Sequence, residues 1–202
     1  MVTKLSVTPE MMQVARNTVN QINAINHWVP SNGLCMAWPP AAVVSNNASE
    51  TMDRFDSALA AAMSNNFIPQ IPSGCVAEQA GAVQGINDLM LQSYDGVLVF
   101  FPAGWDAAGG SFTSLRARGA FLVSASWSGT QVDSGMRIVS LSGSNCSFAS
   151  PWGAKAAAPV VHNTATGGVV RFAGPPADSA AGKVYTFETE PGGSYLVVAA
   201  PV

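Results

Sequence analysis

The first part of the chain combines helical periodicity with proline-containing loops. A first helix is predicted to begin after Thr8, because Thr is a good N-cap and Pro9 and Glu10 suit a first turn. Residues 30–48 contain the segments PSNG and WPP and predict an ordered loop. The apolar positions of the helix recur at spacings of three and four and predict one buried face: Met11, Val14, Ala15, Val19, Ile22 and Ile25.

Two further helices are predicted before residue 95. One runs from about Ser49, as its cap, to Ser64, and the other runs from about Val76 to Ser93. Gly96 then provides the left-handed stop that commonly follows a helix. The predicted apolar positions are Met52, Phe55, Leu59 and Met63 in the first of these helices, and Val83, Ile86, Leu89 and Met90 in the second.

The pattern changes near residue 95, where short runs of β-branched and aromatic residues alternate with Gly, Pro and Ser. Short strands separated by turns such as TGG and PGG are typical of a small antiparallel sandwich. The sequence therefore predicts an α+β protein, with a helical segment over 1–95 and an antiparallel β-sandwich over 96–202. The predicted strands are residues 97–101, 120–127, 131–141, 146–148, 169–172, 183–188 and 194–198.

Composition narrows the classes of function. Only 10% of the 202 residues are charged, against roughly 25% in an average soluble domain, while 48% are hydrophobic and the net charge is −3. This excludes a disordered chain and gives no basic face for nucleic acid. No apolar run is long enough to span a bilayer, and no signal-peptide pattern is seen. A helical segment with so few charges usually packs against more protein.

The sequence offers no metal or cofactor site. No short catalytic signature is present, and His27 and His162 lie in different halves of the chain. Cys35, Cys75 and Cys146 are too far apart for a zinc site or a disulfide framework, so we expect three buried small hydrophobes.

Carboxylates and one tryptophan remain as candidates for chemistry. Glycoside hydrolysis needs two carboxyl groups that flank the sugar. Glu78 lies at the predicted start of a helix, where it is either a reactive group or a carboxylate stabilised by the helix N-terminus. Trp38 is either a platform for a sugar ring or a plug in its loop. Asp88 and Asp95 are expected to be exposed to solvent.

Arg116 and Arg118 are spaced by two, so an extended chain places them on the same side. They either clamp a carboxylate at the junction between the two halves or lie on a solvated strand edge.

Several linked motifs resemble the C-terminal part of glycoside hydrolase family 95 and its close relatives, the α-L-fucosidase group. They are GINDLMLQSYDGVLVFFPA (85–103), SFTSLRARGAFLVSASW (111–127), the later PW (151–152) and the closing PGGSYLV (191–197). The resemblance is strongest over 75–152. It implies that the helical segment supplies the last helices of an (α/α)6 barrel and that the sandwich is the C-terminal β-domain. The N-terminal domain and most of the barrel would then lie outside this chain.

The resemblance also implies a function and a site. Family members act on fucosyl and related glycosides with inversion, using a general-acid Glu and an Asp base. The segment that carries the base resembles CVAEQAG (75–81), where the Asp position falls on Ala77 and Glu78 follows. This stretch is similar to a divergent branch of the family whose members carry a Glu here, so Glu78 is the expected catalytic residue, and Trp38 and Gln79 are the expected substrate-binding residues. Because inversion needs both an acid and a base, we predict a C-terminal fragment or shortened relative that is inactive alone.

Two other functions fit the same sequence. The β-sandwich is alternatively a non-catalytic carbohydrate-binding module that holds sugar through Trp105, Trp127 or Trp152. The chain is otherwise a structural partner that completes another polypeptide's barrel. The expected partners are thus carbohydrate and either the missing barrel segment or another subunit, with no nucleic acid and no membrane. We expect no cofactor, and members of the family that the chain resembles are often secreted or periplasmic.

Overall fold

The protein is α+β, with its helices before its strands. The computed structural model describes residues 2–26, 37–62, 76–105, 108–153 and 156–200, with backbone alone at 23–26, 61–62 and 76–79. Two compact units divide the chain, Met1–Leu89 and Met90–Val202. We call them the helical unit and the β unit.

Four helices lie in the described residues: α1 (Pro9–Asn26), α2 (Trp38–Val44), α3 (Ala48–Ala62) and α4 (Val76–Met90). The predicted start of α1 is confirmed, because the Thr8 hydroxyl accepts the Met11 N–H at 3.3 Å. The predicted cap of α3 is wrong by two residues. The cap is Asn47, whose side-chain oxygen accepts the Glu50 N–H at 3.1 Å.

Helix α1 packs through a face that differs from the predicted one. Met12 is buried, whereas Met11 and Val14 of the predicted face are 55% and 65% exposed. The reason is α2, which forms where a loop was predicted and contacts α1. Arg16, one turn after Met12, donates from Nε to the Val44 carbonyl at 2.8 Å. A neighbouring helix therefore decides which side of α1 is buried.

The β unit contains short strands, in keeping with the predicted change of pattern. Those in the described residues are β1 (Leu91–Gln92), β2 (Val97–Phe100), β3 (Gly110–Ala117), β4 (Phe121–Ser128), β5 (Gln131–Val132), β6 (Met136–Ser140), β7 (Cys146–Ala149), β8 (Val160–Asn163), β9 (Val169–Val170), β10 (Ala177–Ser179), β11 (Gly182–Phe187) and β12 (Ser194–Val198).

These strands form two sheets that are rich in antiparallel pairs. One sheet has the order β1-β2-β7-β11-β10, and the other has the order β3-β4-β6-β12-β8-β9 with β5 paired to β4. Among the described strands, β2 and β7 make the parallel pair, with Val97 opposite Ser147. The prediction of an antiparallel sandwich is therefore wrong for this pair of strands. The long connection through β3 to β6 lets the chain return in the same direction.

One apolar core contains side chains from both sheets. Phe148 and Phe187 of the five-stranded sheet have no exposed surface, and neither does Val123 of β4. The rings of Phe187 and Tyr195, which belong to different sheets, lie 5.3 Å apart. Burial alternates along β4, which confirms the alternation predicted there.

Candidate functional site

Trp38 opens α2 and lies entirely inside the helical unit. Its side chain is 0% exposed and stacks on the Phe55 ring, with centroids 4.3 Å apart and planes 8° from parallel. Its Nε1 donates to the Ala82 carbonyl at 3.2 Å. A Cβ added to Gly85 would overlap the indole, which gives a physical reason for glycine there. These contacts give the ring a packing role, while its contact with substrate stays a prediction.

Glu78 and Gln79 lie in the first turn of α4, which begins at Val76 as predicted. Their side chains fall outside the described residues, so the catalytic role of Glu78 and the substrate-binding role of Gln79 stay predictions. His27, Cys35 and Cys75 also fall outside the described residues.

The two aspartates near the end of α4 differ in their surroundings. Asp88 is 2% exposed and accepts a hydrogen bond from the Gln84 side-chain amide at 2.9 Å, so its predicted exposure is wrong. It lies on the same side of α4 as Gly85 and Leu89, which are also buried. Asp95 is exposed, as predicted.

Arg116 and Arg118 do not share an extended segment. Strand β3 ends at Ala117, so Arg118 lies in the turn that follows, where its backbone N–H donates to the Ser93 hydroxyl at 3.0 Å. The Arg118 guanidinium lies over the Tyr94 ring at 5.1 Å and donates to the Tyr94 carbonyl at 3.2 Å. It therefore holds a turn in place, while Arg116 is exposed on an edge strand.

The three tryptophans of the β unit are half-buried and pack against its core. Phe101 contacts two of them, with its ring centroid 5.6 Å from that of Trp105 and 5.8 Å from that of Trp127. Trp152 donates from Nε1 to the Val132 carbonyl at 2.9 Å. Each ring therefore stabilises the unit and keeps part of its surface open to solvent.

A small polar cleft lies in the helical unit, with a volume of about 70 Å³. The Arg16 Nε donates to the Val44 carbonyl. The Arg54 guanidinium donates to the Asn20 side chain at 2.8 Å and forms an ion pair with Glu50. Its charged groups are therefore engaged by the fold. We call it the helical cleft, and its polar lining is Arg16, Asn20, Ser45, Asn46, Asn47, Glu50, Thr51 and Arg54.

A larger groove, of about 470 Å³, opens in the β unit. The groove lies where the segment that follows β9 pairs with β11. Phe172 forms a β-bridge with Phe187, and the Ala173 N–H donates to the Thr186 carbonyl at 2.8 Å. We call it the β groove, and its lining includes Asn163, Arg171, Phe172, Glu188, Glu190 and Tyr195.

The charged side chains of the β groove are not engaged by the fold. Arg171, Glu188 and Glu190 are exposed, and none of the three side chains has an ion-pair or hydrogen-bond partner among the described residues. Sequence reasoning missed them. The available signal was the spacing of the two glutamates, which places both on one side of an extended chain and leaves Thr189 to face inward.

Two ionisable groups of the β unit have pKa values that the structure explains. Hydrogen bonds from the Ser128 and Ser126 hydroxyls lower the pKa of Asp133 below its ordinary value of 3.8. Burial raises the pKa of the Cys146 thiol to about 12, so this cysteine is a neutral core residue at ordinary pH, as predicted. In the helical unit, burial and the charge of Arg16 lower the pKa of Lys4.

No protein-family model matches the chain, and a search of curated proteins finds no match. Within the described ranges, no group of three or more His, Cys, Asp or Glu side chains could hold a metal ion. The helices described in the structure are all too short or too polar to cross a membrane.

Proposed function

We propose that the chain is the C-terminal part, or a shortened relative, of an inverting glycoside hydrolase similar to the α-L-fucosidase group. The order of elements around the motifs carries this proposal. Helix α4 leads through β1 and β2 to Pro102, β3 carries LRA of the LRARG segment, and a glycine-rich turn precedes Tyr195. The helical unit is then the end of an (α/α)6 barrel, and the β unit is the sandwich that follows it.

The surface of α1 supports the same proposal. Met11, Val14 and Ile22 are 55%, 65% and 38% exposed, and their spacing places them on one side of the helix. Barrel helices present apolar side chains to neighbouring helices, whereas the outer face of a complete domain is usually polar. An exposed apolar side on α1 is what a helix at the boundary of an incomplete barrel would show.

The chain by itself supplies at most part of the catalytic machinery. Inversion needs a general acid and a general base on opposite sides of the scissile bond. The resemblance aligns the base position with Ala77, so Glu78, the next residue, is the candidate for that role, and Gln79 would contribute to substrate binding in the complete enzyme. The chain alone therefore binds sugar weakly and does not hydrolyse it.

Aryl glycosides test this proposal directly. We expect no release of nitrophenol from nitrophenyl α-L-fucoside or galactosides by the full 202-residue chain, and the same result for Glu78→Gln. Hydrolysis by the wild type that is lost in Glu78→Gln would show a complete hydrolase and contradict the fragment proposal. Hydrolysis that Glu78→Gln retains would contradict the role of Glu78.

The half-exposed tryptophans favour a second candidate function, a non-catalytic carbohydrate-binding module. Trp105 and Trp127 both contact Phe101 in the β unit and keep part of their surface exposed to solvent. If they stack on sugar, Trp105→Ala abolishes the fluorescence change on sugar addition. Trp38→Ala and Glu78→Ala would leave that change intact. Dependence on Glu78 instead would favour the hydrolase.

A further inference from the structure

The β groove concentrates charge in a chain that has little of it. Arg171 lies just after β9, and Glu188 and Glu190 lie just after β11, so three charged side chains from two distant segments line one groove. The chain has 21 charged residues in all (9 basic and 12 acidic), and the three here have no partner in the described structure. Exposed ionic side chains that the fold does not use are available to a ligand.

The backbone of the groove is fixed by hydrogen bonds. The Tyr195 hydroxyl accepts the Glu190 N–H at 2.8 Å, and the Glu190 carbonyl accepts the Gly193 N–H at 2.9 Å. Tyr195 itself is only 2% exposed, so these bonds anchor the turn to the core. A groove held in this way needs little ordering when a ligand binds.

One wall of the groove is apolar. The Phe172 ring is half-buried, with its centroid 4.8 Å from the Tyr185 ring, and it also lines the groove. The groove volume of about 470 Å³ lies within the usual range of roughly 300–1,000 Å³ for small-molecule sites. The groove thus combines an aromatic surface with a guanidinium donor and two carboxylate acceptors.

This combination selects among ligand classes. The charged lining sums to −1 (one Arg, two Glu), which disfavours phosphate and nucleic acid. Arg171 disfavours an organic cation. A metal ion lacks ligands, because no group of three acidic, His or Cys side chains occurs among the residues described. Neighbouring hydroxyl groups are both donors and acceptors, so they can satisfy carboxylates and a guanidinium together, and the C–H face of a sugar ring can pack on Phe172.

We propose that the β groove is a binding site for a neutral saccharide, with Arg171, Glu188 and Glu190 bonding to hydroxyl groups and Phe172 contacting the ring. The site lies within the β unit and uses neither Glu78 nor the tryptophans. It therefore does not rest on the hydrolase proposal.

Calorimetric titration of the full chain with neutral methyl glycosides of L-fucose, D-galactose, D-glucose and D-xylose, and with their short oligosaccharides, tests the site. We expect saturable binding of at least one probe. Arg171→Gln and Glu190→Gln should each weaken it about tenfold or more, because each removes a charged hydrogen-bonding group. Asp178→Asn is the matched control, since Asp178 is an exposed acid of the same unit that does not line the groove.

Several outcomes would overturn the proposal. One is that no neutral probe binds saturably, and another is that the Arg171 and Glu190 variants bind as the wild type does. A third is that only spermidine or CaCl₂ gives saturable binding in parallel titrations. All of these substitutions are at surface positions, so we expect each variant to keep the unfolding temperature of the wild type. That measurement separates a loss of binding from a loss of folding. Glu78→Gln should bind as the wild type does, so failure of the hydrolase proposal and failure of this one are distinguishable.

Discussion

The helical cleft and the β groove are both polar depressions, but the fold uses their charged groups differently. In the helical cleft, Arg54 donates to Asn20 and pairs with Glu50, and Arg16 is bonded to a backbone carbonyl. In the β groove, Arg171 and Glu190 point their charges to solvent with no partner in the described structure. The groove is also larger, at about 470 Å³ against about 70 Å³.

The difference shows that a polar pocket is not by itself a binding site. The Ser45 and Thr51 hydroxyls line the helical cleft and bond to each other at 2.7 Å, and Thr51 also donates to the Asn47 carbonyl at 2.8 Å. Such groups have already exchanged water for protein partners, so a ligand would have to break those bonds before it could use them. The charged side chains of the β groove, those of Arg171, Glu188 and Glu190, have no such protein bonds to break in the part of the chain that the structure describes.

The largest expected effect concerns Trp38, because its ring has no exposed surface and stacks on Phe55. Trp38→Ala removes the stacking on Phe55 and leaves a cavity, so we expect the free energy of unfolding to fall by about 3–5 kcal/mol. Urea titration followed by the helical circular dichroism signal measures it. Trp105→Ala, which removes a half-exposed ring from the β unit, should cost less. Equal losses would contradict the packing role that we assign to Trp38.

A smaller effect compares the two arginines directly. Arg54→Ala removes an exposed ion pair and a hydrogen bond to Asn20, so we expect a loss of up to about 1 kcal/mol in the free energy of unfolding. Arg171→Ala should change it by less than about 0.5 kcal/mol, because no described group depends on that side chain. Urea unfolding of both variants at the same ionic strength makes the comparison. A larger loss for Arg171→Ala would show that the β groove is structural.

The smallest effect is a pH dependence within the β unit. The pKa of Asp133 is below 3.8 because the Ser128 and Ser126 hydroxyls bond to the carboxylate. The contribution of this carboxylate to the free energy of unfolding is therefore complete above its unfolded-state pKa. It is lost as the pH falls through the lower folded-state pKa. Urea unfolding of the wild type below about pH 4 should show this loss, and Asp133→Asn should reduce it. A loss of stability below about pH 4 in Asp133→Asn as large as in the wild type would contradict this role of the carboxylate.

Much of the fold could be predicted from local patterns. The change from helices to strands, the Thr8 cap and the alternation along β4 depend on neighbours close in sequence, and all are confirmed. Helix α2 was missed because its WPP start resembles a loop, although Pro is well suited to the first turn of a helix. Strand β3 was missed because GSFTSLRA does not alternate cleanly, and a register shift between Phe112 and Leu115 interrupts it.

The candidate sites divide in the same way. Glu78, Gln79 and Trp38 were selected by sequence motif, whereas the β groove could not be, since residues 163–173 and 188–195 meet only after the sheets form. Asp88 shows the converse error. Its charge predicts exposure, but its position beside Gly85 and Leu89 on α4 buries it.

By itself, the sequence determined the α+β class, the order of helices before strands and the low charge of the surface, because these follow from composition and short-range periodicity. Only the tertiary structure decided which side of α1 is buried, that Trp38 is enclosed and that Arg171 shares a groove with Glu188 and Glu190. Those outcomes depend on contacts between segments far apart in the chain. The local sequence pattern does not predict such contacts, because the same residue is buried or exposed according to which segment packs beside it.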